Sequence, residues 1–569
     1  MNANRHLRNS SRFFRLATIL ACLLTALGGT VLPDARAEIS HQHDDPAVRT
    51  GDEPLGSVDF NVSCAEATRP AFDRALGLMH HMMYVEARAA FEKIVESDPE
   101  CAMAYWGVAT SLFQPLWGTR PSSEELNRGW SLIQKAKELG PLTGREQHLV
   151  AATEAFFREP GQAEFRTRMN RWAETMEAAY RAHPEDHDTA ALYALSRLAL
   201  AQMAEERASL HEEAETVLRR IYEQVPTHPG AVHYTIHATD ADGRAGKSLD
   251  IVKSYGEIAP EVPHALHMPS HIYVRLGEWP EVIEWNRRSA DAALRYPVQG
   301  AVSHHFPHAT DYMLYAYLQQ GEDDQARAVL KETLAQEKFQ PSFISAYHLA
   351  AVSARYAVER RQWAEAATLQ PRSPDGLPWD EAVWAESLTW FARGLGGVHT
   401  GDLDRAIEAE GKMAELRERA KTAGDQHFAT YIEIDRLILA GWMARAQNRP
   451  DEAIRLIRSA GELERTVDKH PVTPGALLPP NEALGDLLTD LDRPSEALEA
   501  YRSSERIWPK RYNTLLGAAR AATAAGDAKS ARALYTALIG IAGESDRPGV
   551  TEAKRFLQTS RVEAEKDQQ

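Results

Sequence analysis

Cysteine is scarce, with three residues in 569, and nothing in the chain reads as the paired C-x-x-C of a zinc ribbon. A G-x-S-x-G elbow, a phosphate-binding glycine loop and an H-E-x-x-H motif are also missing, which removes the common hydrolase, nucleotide and zinc-protease readings. Alternating apolar runs that would mark strands are nearly absent. Beyond residue 37 no apolar stretch approaches the roughly 18 residues of a membrane span, so no transmembrane segment is expected in the mature chain. Positive charge is outnumbered, 64 Lys and Arg against 81 Asp and Glu for a net charge of −17, which argues against nucleic acid and anionic membranes as partners.

What is present begins with an address. Residues 1–37 combine a basic start (Arg5, Arg8, Arg12, Arg15), an apolar run from Leu16 to Leu27, and Ala35-Arg36-Ala37 as a cleavage site. They read as a signal peptide, with an exported, periplasmic or secreted product. A lipobox ending at Cys22 is the weaker alternative, because the apolar run before it is short. Only Cys64 and Cys101 then remain, and an even pair in an oxidising compartment is a disulfide candidate. Cys64 precedes one predicted helix and Cys101 follows the next, so an antiparallel hairpin brings them to the same end.

Ala, Leu, Glu and Arg recur with helical period throughout, which predicts an all-α chain. A turn-forming residue followed five positions later by a small one repeats along the second half: Gly243 and Ser248, Gly277 and Val282, Gly321 and Ala326, Arg361 and Ala366, Gly401 and Ala406, Asn448 and Ala453, Asp492 and Ala497, Gly526 and Ala531. The first residue opens a helix-turn-helix and the second lets the two helices approach. Residues 38–58 read as a disordered polar lead-in, 59–229 as an N-terminal helical region, 230–400 as central repeats, 401–560 as C-terminal repeats and 561–569 as a fraying tail. Two proline-rich stretches, 370–378 and 470–480, read as loops inside repeats.

The repeats resemble the tetratricopeptide (TPR) family. Ala87, Phe91 and Pro99 match its small, aromatic and terminating-proline positions, and Ala497, Tyr501 and Pro509 match them again. Asp98 to Gly107, Ala231 to His237 and His264 to Trp279 resemble exported bacterial TPR proteins of unassigned activity, with the closest likeness over residues 60 to 320. The resemblance implies an α-solenoid of helix-turn-helix repeats and leaves the activity open.

Eight of the 22 histidines fall between His233 and His308. His233, His237 and Asp240 stand at i, i+4 and i+7 on one predicted helix, His264, His267 and His271 at i, i+3 and i+7 on the next, and His308, Asp311 and Tyr315 repeat that spacing on a third. The following unit adds His348 and Arg355, and Arg275 lies on the second. Counted back from each turn, these positions fall where the TPR resemblance implies a concave, ligand-lining face. Three repeats would then aim imidazole, carboxylate and phenol at one cavity, and convergence from separate helices is what a metal needs. His233, His237, His267 and His271 are the expected metal ligands, with Zn, Cu, Fe or Mn all compatible. His264, His308, His348 and Arg355 are the expected binding residues, and Asp240, Asp311, Tyr315 and Arg275 the catalytic candidates. Pro269 interrupts the second helix and loosens its geometry. His304-His305 reads as a loop, and His80-His81-Met82-Met83 and the tryptophans 106, 117, 130 and 172 read as packing.

These residues support a solenoid with a His/Asp metal pocket that takes a peptide, protein or small-molecule ligand in its groove. The alternatives are a metal-dependent hydrolase or oxidoreductase and a metal-free scaffold. A further reading has protonated imidazoles and Arg275 binding a small anion. The repeats after residue 400 lack such a cluster and read as structural or partner-facing.

Overall fold

The computed structural model describes residues 53–566, apart from 118–119, 205–206 and 242. The expected signal peptide, the lipobox and most of the lead-in lie outside the described residues. Among the described residues the fold is all-α, a solenoid of antiparallel helix pairs, with no strand beyond two isolated bridges in one loop region.

The turn pattern is a backbone device. Gly243, Gly277, Gly321, Arg361, Gly401, Asn448, Asp492 and Gly526 all take positive φ, between 54° and 84°. At Gly277 the N–H of Glu278 donates to Tyr273 O (2.9 Å) across the left-handed residue, the six-to-one closure of a Schellman motif. The same closure recurs from Glu322 to Tyr317, Gln362 to Ala357, Asp402 to Gly397, Arg449 to Ala444, Arg493 to Leu488 and Asp527 to Ala522. Each partner five residues on, from Ser248 to Ala531, is fully buried, so the second helix of each pair crosses the first at a small side chain. Met82, also at positive φ, opens an equivalent turn before the buried Ala87.

Cys64 and Cys101 are bonded, with a Cα–Cα distance of 4.8 Å, across the hairpin of Arg69–His80 and Tyr84–Ser97. The bridge closes a sequence separation of 37 residues, which by the chain-entropy estimate stabilises the fold by about 3–4 kcal/mol. A Cys64→Ser, Cys101→Ser variant is expected to lower the denaturant midpoint by a corresponding amount at unchanged m-value; an unchanged midpoint would contradict this.

Part of the expected lead-in belongs to the core. Leu55 is buried, its carbonyl meets His81 Nε2 at 3.1 Å, and Ser57 N donates to Thr227 O at 2.9 Å. The low hydrophobicity of 38–58 had hidden the one leucine that anchors it.

The C-terminal repeats return to the central ones. Trp279 Nε1 donates to Lys510 O (3.0 Å), a sequence separation of 231, and Ser545 Oγ donates to Gly321 O (2.8 Å), a separation of 224. The segment between Pro450–Glu464 and Pro480–Asp490 does not stay within its repeat. It lies on the concave side, where Tyr312 Oη is 2.9 Å from Pro471 O, Arg355 donates to Gly475 O (3.1 Å) and Lys469 Nζ reaches Asp240 Oδ2 (3.1 Å). Gly475 packs tightly there: a Cβ at this position would stand 3.0 Å from the Tyr315 hydroxyl, so a side chain would have to push the tyrosine aside. The C-terminal repeats, expected to be structural or partner-facing, thus also send the Lys469–Gly475 segment over the histidine cluster, through long-range contacts that leave no local trace in sequence.

Candidate metal centre

Three proline-started helices carry the imidazoles. Pro229–Thr239 holds His233 and His237, Pro263–His267 holds His264 and His267, and Pro269–Leu276 holds His271 and Arg275. Pro269 sits at N1 of its helix, where its missing N–H costs nothing, and Met268 keeps helical angles (φ −54°, ψ −40°), so His267 and His271 still share a face. His308 and Asp311 stand on His305–Gln319, and His348 and Arg355 on Phe343–Glu359. The helix carrying His308 begins at His305, so the loop reading is corrected for His305, with Pro307 accommodated in the first turn, while His304 stays in the turn before the helix.

The eight metal and binding candidates gather, but not as one four-histidine site. One ring nitrogen from each of His267, His271 and His308 lies within 4.8 Å of the others, and a second such triad consists of His233, His237 and His264. His264, one turn before His267, faces the preceding repeat, with ring centroids 5.0 Å from His233 and 6.3 Å from His267.

Hydrogen bonds fix which nitrogen of each ring faces inward. Asn286 Nδ2 donates to Val282 O (2.7 Å), so its Oδ1 must accept, and it does so from His267 Nδ1 (2.7 Å). His271 Nδ1 donates to Asp240 Oδ2 (2.9 Å). His348 Nδ1 donates to Asp311 Oδ2 (3.0 Å), which leaves His348 Nε2 as the acceptor for His308 Nδ1. His233 Nδ1 donates to His80 O (2.7 Å). Each of these five rings thus carries its lone pair on Nε2. His267 Nε2 and His271 Nε2 then face one another at 3.0 Å, two acceptors with no hydrogen between them.

The carboxylates and arginines sit one shell out. Asp240 binds His271, Arg275 Nε (2.8 Å) and Lys469 Nζ (3.1 Å). Burial works to raise its pKa, but Lys469 and Arg275 outweigh it and hold the carboxyl well below its usual range. Asp311 binds His348 and Arg355 Nε (2.9 Å); burial works to raise its pKa, but Arg355 and His348 together hold it below its usual value. These two carboxylates orient and polarise imidazoles, which is the outer-shell role in metal sites. Tyr315 lies elsewhere: its hydroxyl accepts from Arg511 (2.9 Å), which is paired with Glu482 and Glu359 in a buried ion network.

Burial, first, and neighbouring imidazoles, second, push the pKa values of His233, His264, His267 and His308 well below the ordinary value and that of His237 down to about 3. The rings are therefore neutral, which suits ligands and removes the charge that anion capture by protonated histidines required.

The triads share a cavity lined by His237, His264, His271 and His308 and closed by Trp117, His470, Pro471 and Val472, with about 30 Å³ open to the centres of water-sized molecules. That is room for an ion and one or two waters, not for a peptide. A neighbouring cavity of about 370 Å³ has Trp117, His237, Asp240 and Tyr431 in its wall. Trp117, whose ring lies 5.2 Å from His264, and His470 were missed in the sequence. The tryptophan resembles any core aromatic, and His470 sits in a proline-rich loop 162 residues from the nearest clustered ligand by number alone.

His80, read as packing, is held by Tyr234 Oη (3.1 Å) and Asp188 Oδ1 (2.9 Å), and His81 by Tyr255 Oη (2.9 Å). Both anchor helices behind the site, and His80 also presents the carbonyl that orients His233.

No family model and no curated protein matches the chain. Among solved structures it is similar to the yeast Tom70 crystal structure, at 12% identity over 87% of this chain and 96% of that one, with a TM-score of 0.33. It is similar also to the human IFIT1 dimer with m7Gppp-AAAA, at 10% identity over 84% and 96%, TM-score 0.35, and to the Cut9-Hcn1 hetero-tetramer of the APC/C, at 12% over 86% and 89%, TM-score 0.30. Scores this low carry nothing about function.

Replacing Asp311 by Asn keeps the shape but removes the charge that orders His348 and, through it, His308. Affinity for an ion on the central triad is expected to fall about 10- to 100-fold, measured by competition titration; an unchanged affinity would remove Asp311 from the site.

Proposed function

We propose that this chain is an exported TPR-like metalloprotein whose central repeats hold a transition-metal ion on His267, His271 and His308. One observation carries the reading: two imidazole nitrogens 3.0 Å apart, both fixed as lone-pair donors by obligate acceptors behind them. Two such lone pairs repel unless a cation stands between them, and the separation matches adjacent ligands around one ion with metal–nitrogen distances of about 2.0–2.1 Å. Asn286, Asp240 and the His348–Asp311 pair supply the acceptors that ligand histidines ordinarily have.

Export is part of the proposal, supported by the amino-terminal pattern and by the Cys64–Cys101 bridge, a bond at home in an oxidising compartment. The ligand in contact with the ion is small, because the roof segment fills the groove a peptide would need. Asp240 borders the neighbouring cavity of about 370 Å³ and Arg275 a separate one of about 490 Å³, polar groups for a substrate or proton that keep an oxidoreductase or hydrolase role as the second reading. Elemental analysis of tag-free protein from an exporting host tests the core claim: stoichiometric metal is expected, and metal-free protein that refuses added Zn, Cu, Fe and Mn would overturn it.

A further inference from the structure

The second triad is only partly engaged by the fold, through His233 Nδ1 on His80 O. His233 and His264 are buried, yet among the described residues His233 Nε2, His237 Nε2 and both ring nitrogens of His264 have no hydrogen-bond partner. Unsatisfied buried nitrogens are costly, and here one ring nitrogen from each of the three histidines lies within 4.8 Å of the others. His80 and His81, by contrast, have both ring nitrogens bonded. The two triads are neighbours, with ring centroids 6.1 Å apart between His237 and His271 and 6.3 Å between His264 and His267. They open on one cavity, and the thioether-bearing Met82, 3% exposed, is among the residues that line it.

Charge decides which ions fit. All six ligands are neutral. Asp240 is already matched by Arg275 and Lys469, and Asp311 by Arg355, so among the described residues no spare negative charge faces the cavity. Two divalent ions would bring four uncompensated charges into a closed, low-dielectric space, and two monovalent ions only two. Imidazole with a soft thioether at hand is a donor set that accepts monovalent copper.

We infer that the cavity is a two-ion site, with one monovalent copper on His267, His271 and His308 and a second on His233, His237 and His264. This rests on the metal reading above and extends it. The experiment is an anaerobic titration of tag-free protein, full length after leader removal, with Cu(I) against bicinchoninate, repeated with Zn(II) against a chromophoric chelator. Two equivalents of Cu(I) are expected, falling to one in His237→Ala and to one in His271→Ala, with circular dichroism showing the same helical signal. His237 is the least buried of the six; should its alanine variant fail to fold, His264→Gln gives the same readout at similar volume. A single equivalent, indifferent to His237→Ala, would overturn the second site and leave the central ion standing. Two equivalents of Zn(II) that Cu(I) does not displace would overturn the choice of copper. No uptake of either ion, nor of added Fe or Mn, would overturn both this inference and the reading it rests on.

Discussion

Alanine at His267 and His271 together is expected to weaken binding of the central ion by about 1000-fold or more, equivalent to about 4 kcal/mol. The pair supplies two of the three nitrogens of that triad, and His308 alone retains its oriented lone pair. The double change also leaves Asp240 and Asn286 without the imidazole N–H groups they accept from. Asp240 keeps Arg275 and Lys469, so its charge stays compensated and the helix pair should hold. Competition titration with a chromophoric chelator gives the affinity, and circular dichroism confirms the fold. Tyr315→Phe is the matched control: its hydroxyl serves Arg511, so it should leave metal affinity within about twofold while costing about 1 kcal/mol of stability. Equal affinity in the double variant and the parent would take the ion away from this pair of rings.

The second large effect is acid sensitivity of the metal-free protein. A histidine whose folded pKa lies below its unfolded value is neutral in the fold and takes up a proton on unfolding. Its stabilising contribution is therefore complete above about pH 6.5 and is lost as pH falls towards the folded value. His237 and His470 are pushed down to about 3 and His304 to about 4, burial being the largest cause in each. Between pH 6.5 and 4.5 each is expected to cost about 1–2 kcal/mol, or about 3–6 kcal/mol for the three. His233, His264, His267 and His308 shift in the same direction and add to this. Such a sum is comparable to the whole stability of many proteins, about 5–15 kcal/mol. Denaturant midpoints measured on chelator-treated protein should fall steeply over that range, and bound metal should move the fall to lower pH by excluding protons from the nitrogens. A flat profile in the metal-free protein would mean that the rings are already protonated or solvated.

The repeat architecture was legible because it depends on single residues with local jobs. A left-handed residue and a small one five positions later are both required wherever two helices turn back and touch, and Gly401 with Ala406 or Asp492 with Ala497 announces that without reference to the rest of the chain. The identity of the clustered histidines was legible for the same reason, since spacing on a helix fixes the face. Their division into two triads was not. It depends on His264 reaching the preceding repeat while His267 and His271, one turn on, reach the following one, a matter of how hairpins stack. Closure by the segment from Lys469 to Gly475 was also hidden, because its partners Asp240, Tyr312 and Arg355 are more than a hundred residues away. The tautomers needed coordinates as well: only the Asn286 amide bonded to Val282 O shows that His267 must donate backwards and point its lone pair at His271.

Anomalous diffraction from crystals of metal-loaded protein, collected on either side of the absorption edge of the bound metal, tests the central claim most directly. A difference peak is expected within about 2.0–2.3 Å of His267 Nε2 and His271 Nε2 and close to the ring of His308. Loaded crystals with no peak at that point, and with the two nitrogens still 3.0 Å apart, would show that a shared proton rather than a metal joins them.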